Sequence, residues 1–227
     1  MTPPPSSTTA PAVTFPADAD LESVFDVVVV GGGAGGLAAV RAARWAGARV
    51  ALVSDGPPGG DCTFTGCVPS KALLAAAAAG VDGEEAFARV RRAVETVAAS
   101  ETPDRLAGGG AVVVLGRGRL AAPDVVTVGE RRLHARHVIL ATGSRPAVPP
   151  VPGLDEVEAL TNETLFELTA PPPSLLVVGA GAVGCEMAQA FARLGTSVTL
   201  VEVAERVLPA EEPDVSAVVA AALAADG

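Results

Sequence analysis

Cys62 and Cys67 stand five residues apart, and Lys71, the only lysine beside 15 arginines, follows four residues later. A thiolate is a nucleophile and an electron donor, and a thiol at a helix start near a cation has a lowered pKa. Arginine is a permanently charged fork, whereas lysine is a compact point charge whose pKa can move. The lone lysine is therefore flagged together with the cysteines. On one regular helix, residues five apart differ by about 7.5 Å of rise and lie on different faces. A disulfide needs Cα atoms within about 7 Å. A bridge would thus require an irregular segment, which Gly66 and Pro69 are suited to provide. Two buried thiols or half of a metal site are the other readings. The segment holds no histidine or third cysteine to complete a metal site.

A second kind of chemistry is carried by glycines. Gly31, Gly33 and Gly36 form G-x-G-x-x-G directly after the apolar run Val27 to Val30. The first glycine permits a tight turn, the second lets a pyrophosphate approach the backbone, and the third lets helix and strand pack closely. The helix that follows offers free N–H groups and the positive end of its dipole to phosphate. Gly31, Gly33, Gly36 and Gly47 reappear 148 residues later as Gly179, Gly181, Gly184 and Gly195. Two copies imply two dinucleotide-binding domains.

The copies differ where an acidic residue is expected for the ribose hydroxyls. The second has Glu202, which suits a 2′-OH and repels a 2′-phosphate, so NADH is expected over NADPH. The first has Ser54 followed by Asp55, and either residue could face the ribose.

These residues need strands and helices to hold them. Val27 to Val30 is the pattern of a strand buried on both faces. Leu37 to Trp45 reads as a helix stopped at Gly47, and Val50 to Val53 as the next strand. In the second copy the strand is Leu175 to Val178, the helix Cys185 to Leu194 and the second strand Val198 to Val201. Between the copies, residues 71 to 99 read as helix broken near Gly80 to Gly83. Short strands follow at Ala111 to Leu115, Val125 to Val128 and Val138 to Leu140, with a hairpin connection at Val128 to Arg131. A last helix is expected from about Pro213 to Ala225. The fold class is therefore α/β, with two Rossmann-like domains of which the second is incomplete. The expected organisation is a disordered Pro/Ser/Thr/Ala tail over 1–22, a flavin-type nucleotide domain over 23–150, a linker over 151–173 and a second nucleotide domain over 174–227.

The chain has 227 residues and a formal net charge of −10. That acidity, with no basic run, argues against a nucleic-acid partner. Its longest apolar run, Ala217 to Ala225, is too short for a membrane span. The N-terminus lacks the basic and apolar regions of a signal peptide, and three cysteines are too few for a disulfide scaffold. A cytoplasmic protein is expected.

The run Gly60-Asp61-Cys62-Thr63-Phe64-Thr65-Gly66-Cys67-Val68-Pro69-Ser70-Lys71 resembles the redox-active signature of the class I pyridine nucleotide-disulfide oxidoreductases. Dihydrolipoyl dehydrogenase, glutathione reductase, mycothione reductase and mercuric reductase belong to that family. Gly116-Arg117-Gly118 and Ala141-Thr142-Gly143 are similar to further FAD-contact motifs of the family. Thr161 to Phe166 is similar to its linker, and Gly179 to Glu186 to its NAD-binding turn.

The resemblance implies FAD on the first copy, touching Gly31, Gly33, Gly36, Ser54 or Asp55, Lys71, Gly118, Thr142 and Gly143. It implies NAD(P)H on the second, touching Gly179, Gly181, Gly184 and Glu202. Electrons would pass through flavin to a Cys62–Cys67 disulfide and on to a small-molecule or protein-bound disulfide. Cys62 would be the interchange thiol and Cys67 the charge-transfer thiol. Lys71 would pair with Glu186, which takes the place of Ala38 in the repeat. Cys185, His134 and His137 read as structural. The family's enzymes continue beyond this C-terminus with an interface domain that supplies a His–Glu pair, and the full-length form is expected as a homodimer. A truncated, non-catalytic nucleotide-binding remnant and a relative reducing quinones or metal ions are the alternatives.

Overall fold

The computed structural model describes residues 12–227. In chain order its elements begin with β1 (Val13–Phe15), β2 (Phe25–Val30), α1 (Ala34–Trp45), β3 (Val50–Ser54) and α2 (Gly60–Phe64). Helices α3 (Cys67–Ala78), α4 (Gly83–Ala98) and α5 (Pro103–Gly108) follow. Next come β4 (Val112–Leu115), β5 (Gly118–Ala122), β6 (Val125–Val128) and β7 (Arg131–Leu140). The chain closes with α6 (Asn162–Leu165), β8 (Ser174–Val178), α7 (Ala182–Arg193), β9 (Ser197–Val201) and α8 (Pro213–Asp226).

These elements form two units. Among the described residues, one comprises 12–64 together with Thr96–Ala147; the other comprises Thr65–Glu95 and Val148–Gly227.

The first unit is built on a seven-stranded sheet in the order β1-β4-β3-β2-β7-β6-β5. Strands β4, β3, β2 and β7 run parallel, so their carboxyl ends share one edge. The valine run of β2 is apolar throughout because both of its faces are covered. Val28 and Val30 pack with Ala51, Val53, Val126 and Leu133 on one side. Val29 packs with Leu37 and Val40 of α1 on the other. Strand β7 serves two neighbours: Arg131 to His134 pair antiparallel with β6, and Ala135 to Leu140 pair parallel with β2.

Several elements here depart from the sequence expectation: α5 was not expected, and β7 begins at Arg131 and not at Val138. Within the tail expected to be disordered, Val13–Phe15 form a strand antiparallel to β4; residues 1–11 lie outside the described residues. Gly118–Ala122, not expected as a strand, pairs antiparallel with β6.

In the second unit β8 and β9 are parallel and joined through α7. Helices α3 and α4 bury their apolar faces against α7. Leu73, Ala76, Phe87 and Val90 cluster with Met187, Ala190 and Phe191, and the Phe87 and Phe191 rings lie 6.1 Å apart. Helix α8 is tied to α7 through Asp226, which accepts from Gln189 at 2.7 Å and pairs with Arg193 at 2.9 Å. No helix among the described residues is long and apolar enough to cross a membrane.

Candidate redox and dinucleotide sites

Parallel strands expose their connecting loops at the carboxyl edge, where α/β sheets bind ligands. The sequence-predicted residues of the first nucleotide site lie on that edge, except Lys71, which is on α3 in the second unit. Gly31 to Gly36 follow β2, Ser54 ends β3, Gly118 opens β5 just after β4, and Thr142 and Gly143 follow β7. Gly31 has φ +111°, and a Cβ there would collide with the Ala141 carbonyl oxygen. A Cβ on Gly36 would strike the carbonyl oxygen of Gly31. Gly33 has no such crowding, its nearest neighbour being the Gly60 Cα at 3.8 Å. Gly33 caps α1 without any side-chain hydrogen bond, and the first turn holds no acidic residue. The helix therefore presents unpaired N–H groups to solvent, as a phosphate site requires.

The Cys62-bearing helix starts on this turn. Gly59 donates its N–H to the Gly32 carbonyl at 2.8 Å, and Gly60 at φ +57° has no room for a Cβ beside the Gly33 Cα. Two residues on, Cys62 is half-buried in α2. The next residue, Thr63, is buried and donates its hydroxyl to the Glu101 carboxylate at 2.7 Å. Nothing in the sequence signals that contact, because its partners are 38 residues apart.

Helix α2 ends at Phe64 and α3 begins at Cys67, so the segment between the cysteines is not one regular helix. Cys67 is exposed at the first position of α3, after Gly66, with no acidic residue in the first turn. Lys71 lies four residues along the same helix, on the same face. Its ammonium donates to both carboxylate oxygens of Glu186 on α7, at 2.7 and 2.8 Å.

The second turn repeats the first. Gly179 has φ +100°, a Cβ on Gly184 would strike the Gly179 carbonyl oxygen, and Gly181 faces open space. Gly181 caps α7 with no side-chain hydrogen bond. Glu202, just past β9, accepts from the Ala180 N–H at 2.7 Å and the Ala204 N–H at 3.0 Å. The backbone N–H groups of Ala204 and Ala180 hold its carboxyl below the ordinary glutamate range. Glu202 therefore carries a full negative charge at neutral pH. Ser54, its counterpart in the first turn, is buried and donates to the Gly56 carbonyl at 2.8 Å, while Asp55 is exposed.

Cys185 is buried on α7, its thiol donates to the Ala180 carbonyl at 3.4 Å, and burial, then the Glu202 charge, pushes its pKa up. His134 and His137 lie on β7, half-buried and exposed respectively.

A family model described as pyridine nucleotide-disulphide oxidoreductase matches residues 25–227. The chain is 39% identical over 217 residues to a mercuric reductase of Streptomyces lividans, covering 85% of this chain and 45% of that one. It is 32% identical over 226 residues to a dihydrolipoyl dehydrogenase of Acholeplasma laidlawii, covering 89% and 67%. Among solved structures, the HOCl-induced flavoprotein disulfide reductase RclA from Escherichia coli superposes with a TM-score of 0.78 at 30% identity, over 89% of this chain and 47% of that one. The chain spans about half the length of most of these relatives. With a family match over nearly the whole described chain, the protein belongs to the pyridine nucleotide-disulphide oxidoreductases.

Proposed function

We propose that this chain is the FAD- and NADH-binding part of a flavin disulfide reductase whose redox pair is Cys62 and Cys67. The observation that carries the reading is the placement of Cys67 at the open start of α3, one turn from a Lys71 fixed by Glu186. FAD fits the first unit: an uncapped helix start, an uncrowded Gly33 and the loops at Gly118, Thr142 and Gly143 share one sheet edge. NADH fits the second, where Gly181 is open and the ionised Glu202 suits a ribose diol. When bound, FAD supplies the two-electron relay between a nicotinamide hydride and the cysteine pair.

The protein's own residues complete the cycle. Reducing a Cys62–Cys67 disulfide consumes two electrons and breaks one S–S bond. The Cys62 thiolate then attacks one sulfur of a disulfide substrate and expels the other as thiolate. Cys67 attacks the mixed disulfide, re-forms the Cys62–Cys67 bond and releases the second substrate thiolate. Lys71, held by Glu186, stands one turn from Cys67 on α3.

The relatives named mercuric reductase favour a second acceptor, a mercuric ion reduced by the same dithiol and flavin electrons. The proposal is tested on purified protein by flavin absorbance and thiol titration before and after reduction. One bound flavin and two additional reactive thiols on reduction are expected, with the gain in thiols, but not the flavin, lost in Cys62→Ser. Retention of all thiol reactivity in the oxidised protein would overturn the reading. Oxidation of NADH with a small disulfide or with Hg(II) then distinguishes the two acceptors.

A further inference from the structure

The two turns share a backbone plan but treat one position differently. In the second, the Ala180 N–H is held by the Glu202 carboxylate at 2.7 Å. The corresponding residues of the first are Gly32 and Ser54. Ser54 is buried and packs so closely on Gly32 that a Cβ there would collide with its Oγ. Its hydroxyl hydrogen is committed to the Gly56 carbonyl at 2.8 Å. Gly32 is buried as well, and among the described residues its N–H has no acceptor; only its carbonyl is engaged, by the Gly59 N–H at 2.8 Å. A buried donor without an acceptor is unfavourable until an outside oxygen reaches it. Asp55, the residue after β3, is exposed, whereas the Ser54 side chain turns inward to Gly32.

We propose that Ser54 leaves the ribose edge of the first turn without the carboxylate of the second and with the Gly32 N–H unengaged, so that this site, unlike the second, accepts an adenosine ligand bearing a 2′-phosphate. The inference rests on the reading that the first unit holds the adenosine half of FAD. A carboxylate accepts from the ribose hydroxyls and repels a phosphate dianion. Ser54 carries no charge to do the repelling, and the Gly32 N–H favours any ligand oxygen that arrives as an acceptor. The chain thus discriminates at one turn through Glu202 and leaves the other permissive.

The test is displacement of bound FAD from the full chain, read as the rise in free-flavin fluorescence. ADP-ribose and 2′-phospho-ADP-ribose are the competitors. In the unmodified protein the two should displace flavin within about threefold of each other, and in Ser54→Glu the phosphorylated one should weaken by about tenfold or more. Ser54→Asp serves as a shorter carboxylate should Ser54→Glu misfold, and the ratio in the unmodified protein needs no variant. A tenfold discrimination already present there, abolished by Asp55→Asn, would assign the charge to Asp55 and overturn the proposal. Purified protein that retains no flavin even when reconstituted with excess FAD would overturn the underlying reading instead, and this inference with it.

Discussion

The Lys71 ammonium reaches both carboxylate oxygens of Glu186, at 2.7 and 2.8 Å, across 115 residues of sequence. The pair joins the helix that begins at Cys67 to the helix that follows the second dinucleotide turn. The Lys71 side chain is 60% exposed, so solvent screens the pair and it adds at most about 1 kcal/mol to stability. Its value is in placing a charge. Lys71→Ala is therefore expected to leave the denaturation midpoint nearly unchanged while slowing flavin reduction by NADH by about tenfold or more, the loss of one charge-assisted contact. Stopped-flow absorbance of the flavin reads this directly, and an unchanged rate would refute the assigned role.

The Glu202 carboxyl gives a pH signature. Its pKa in the folded chain lies below the ordinary value of 4.5, through the Ala204 and Ala180 N–H groups. A depressed carboxyl contributes fully above its unfolded pKa, and the contribution is lost as pH falls through the lower native value. NADH affinity should therefore hold from neutrality to about pH 5 and decline only below the usual glutamate range. Glu202→Gln should bind NADH more weakly and show no such acid limb of its own. Fluorescence titration of NADH at stepped pH decides it; an affinity that fell already between pH 7 and 5 in the unmodified protein alone would contradict the assignment.

The glycines of the second turn separate folding from binding. Gly184 has no room for a methyl group because the Gly179 carbonyl occupies the space, whereas Gly181 faces open space with an extended backbone any residue adopts. Gly184→Ala is expected to destabilise the unit by a few kcal/mol, about 1–3 for an overpacked site. Gly181→Ala should leave the melting curve in place and weaken NADH binding, since its methyl group would stand where a pyrophosphate approaches. Parallel thermal denaturation and NADH titration of the two variants check the contrast. Equal stability loss in both would refute it.

Thr63 and Glu101 fix the helix that carries Cys62. The hydroxyl is buried and the hydrogen bond measures 2.7 Å, with the Glu101 carboxylate also filling the space beside Gly59. Thr63→Val keeps the shape and removes the donor. A loss of about 1.5–3 kcal/mol is expected, the range for hydrogen bonds to charged groups. Thr63→Ser, which keeps the hydroxyl, should recover most of it in denaturant unfolding.

Much of this architecture is legible in the sequence where the signal is local. Four consecutive valines demand cover on both faces, and the glycine spacing repeated after 148 residues announces two turns. Elements held by distant partners are not legible. Val13–Phe15 sits in a proline-rich stretch and becomes a strand only by pairing with β4. Gly118–Ala122 has little β-branched content and is held by β6. Helix α5 did carry a readable signal, Thr102 as cap followed by Pro103 at the first position. At the candidate site, the Glu186 position follows from the repeat, but the Ala180–Glu202 bond and the Thr63–Glu101 bond depend on loop geometry that spacing does not encode.

The packing of α3 and α4 on α7 is the least legible feature and has the widest reach. Phe191 is fully buried between Leu73 of α3, Phe87 and Val90 of α4 and its neighbours on α7. That cluster sets the distance between the two helices that carry Lys71 and Glu186. Phe191→Ala would leave a cavity in it, at about 3–5 kcal/mol for a buried phenylalanine. Phe191→Leu refills most of the volume and should recover most of that loss. If the cluster also positions the ion pair, Phe191→Ala should slow flavin reduction at temperatures where the protein remains folded, and Phe191→Leu should restore the rate. A stability loss with the rate unaffected would confine the cluster to structure and leave the Lys71–Glu186 contact to hold its own geometry.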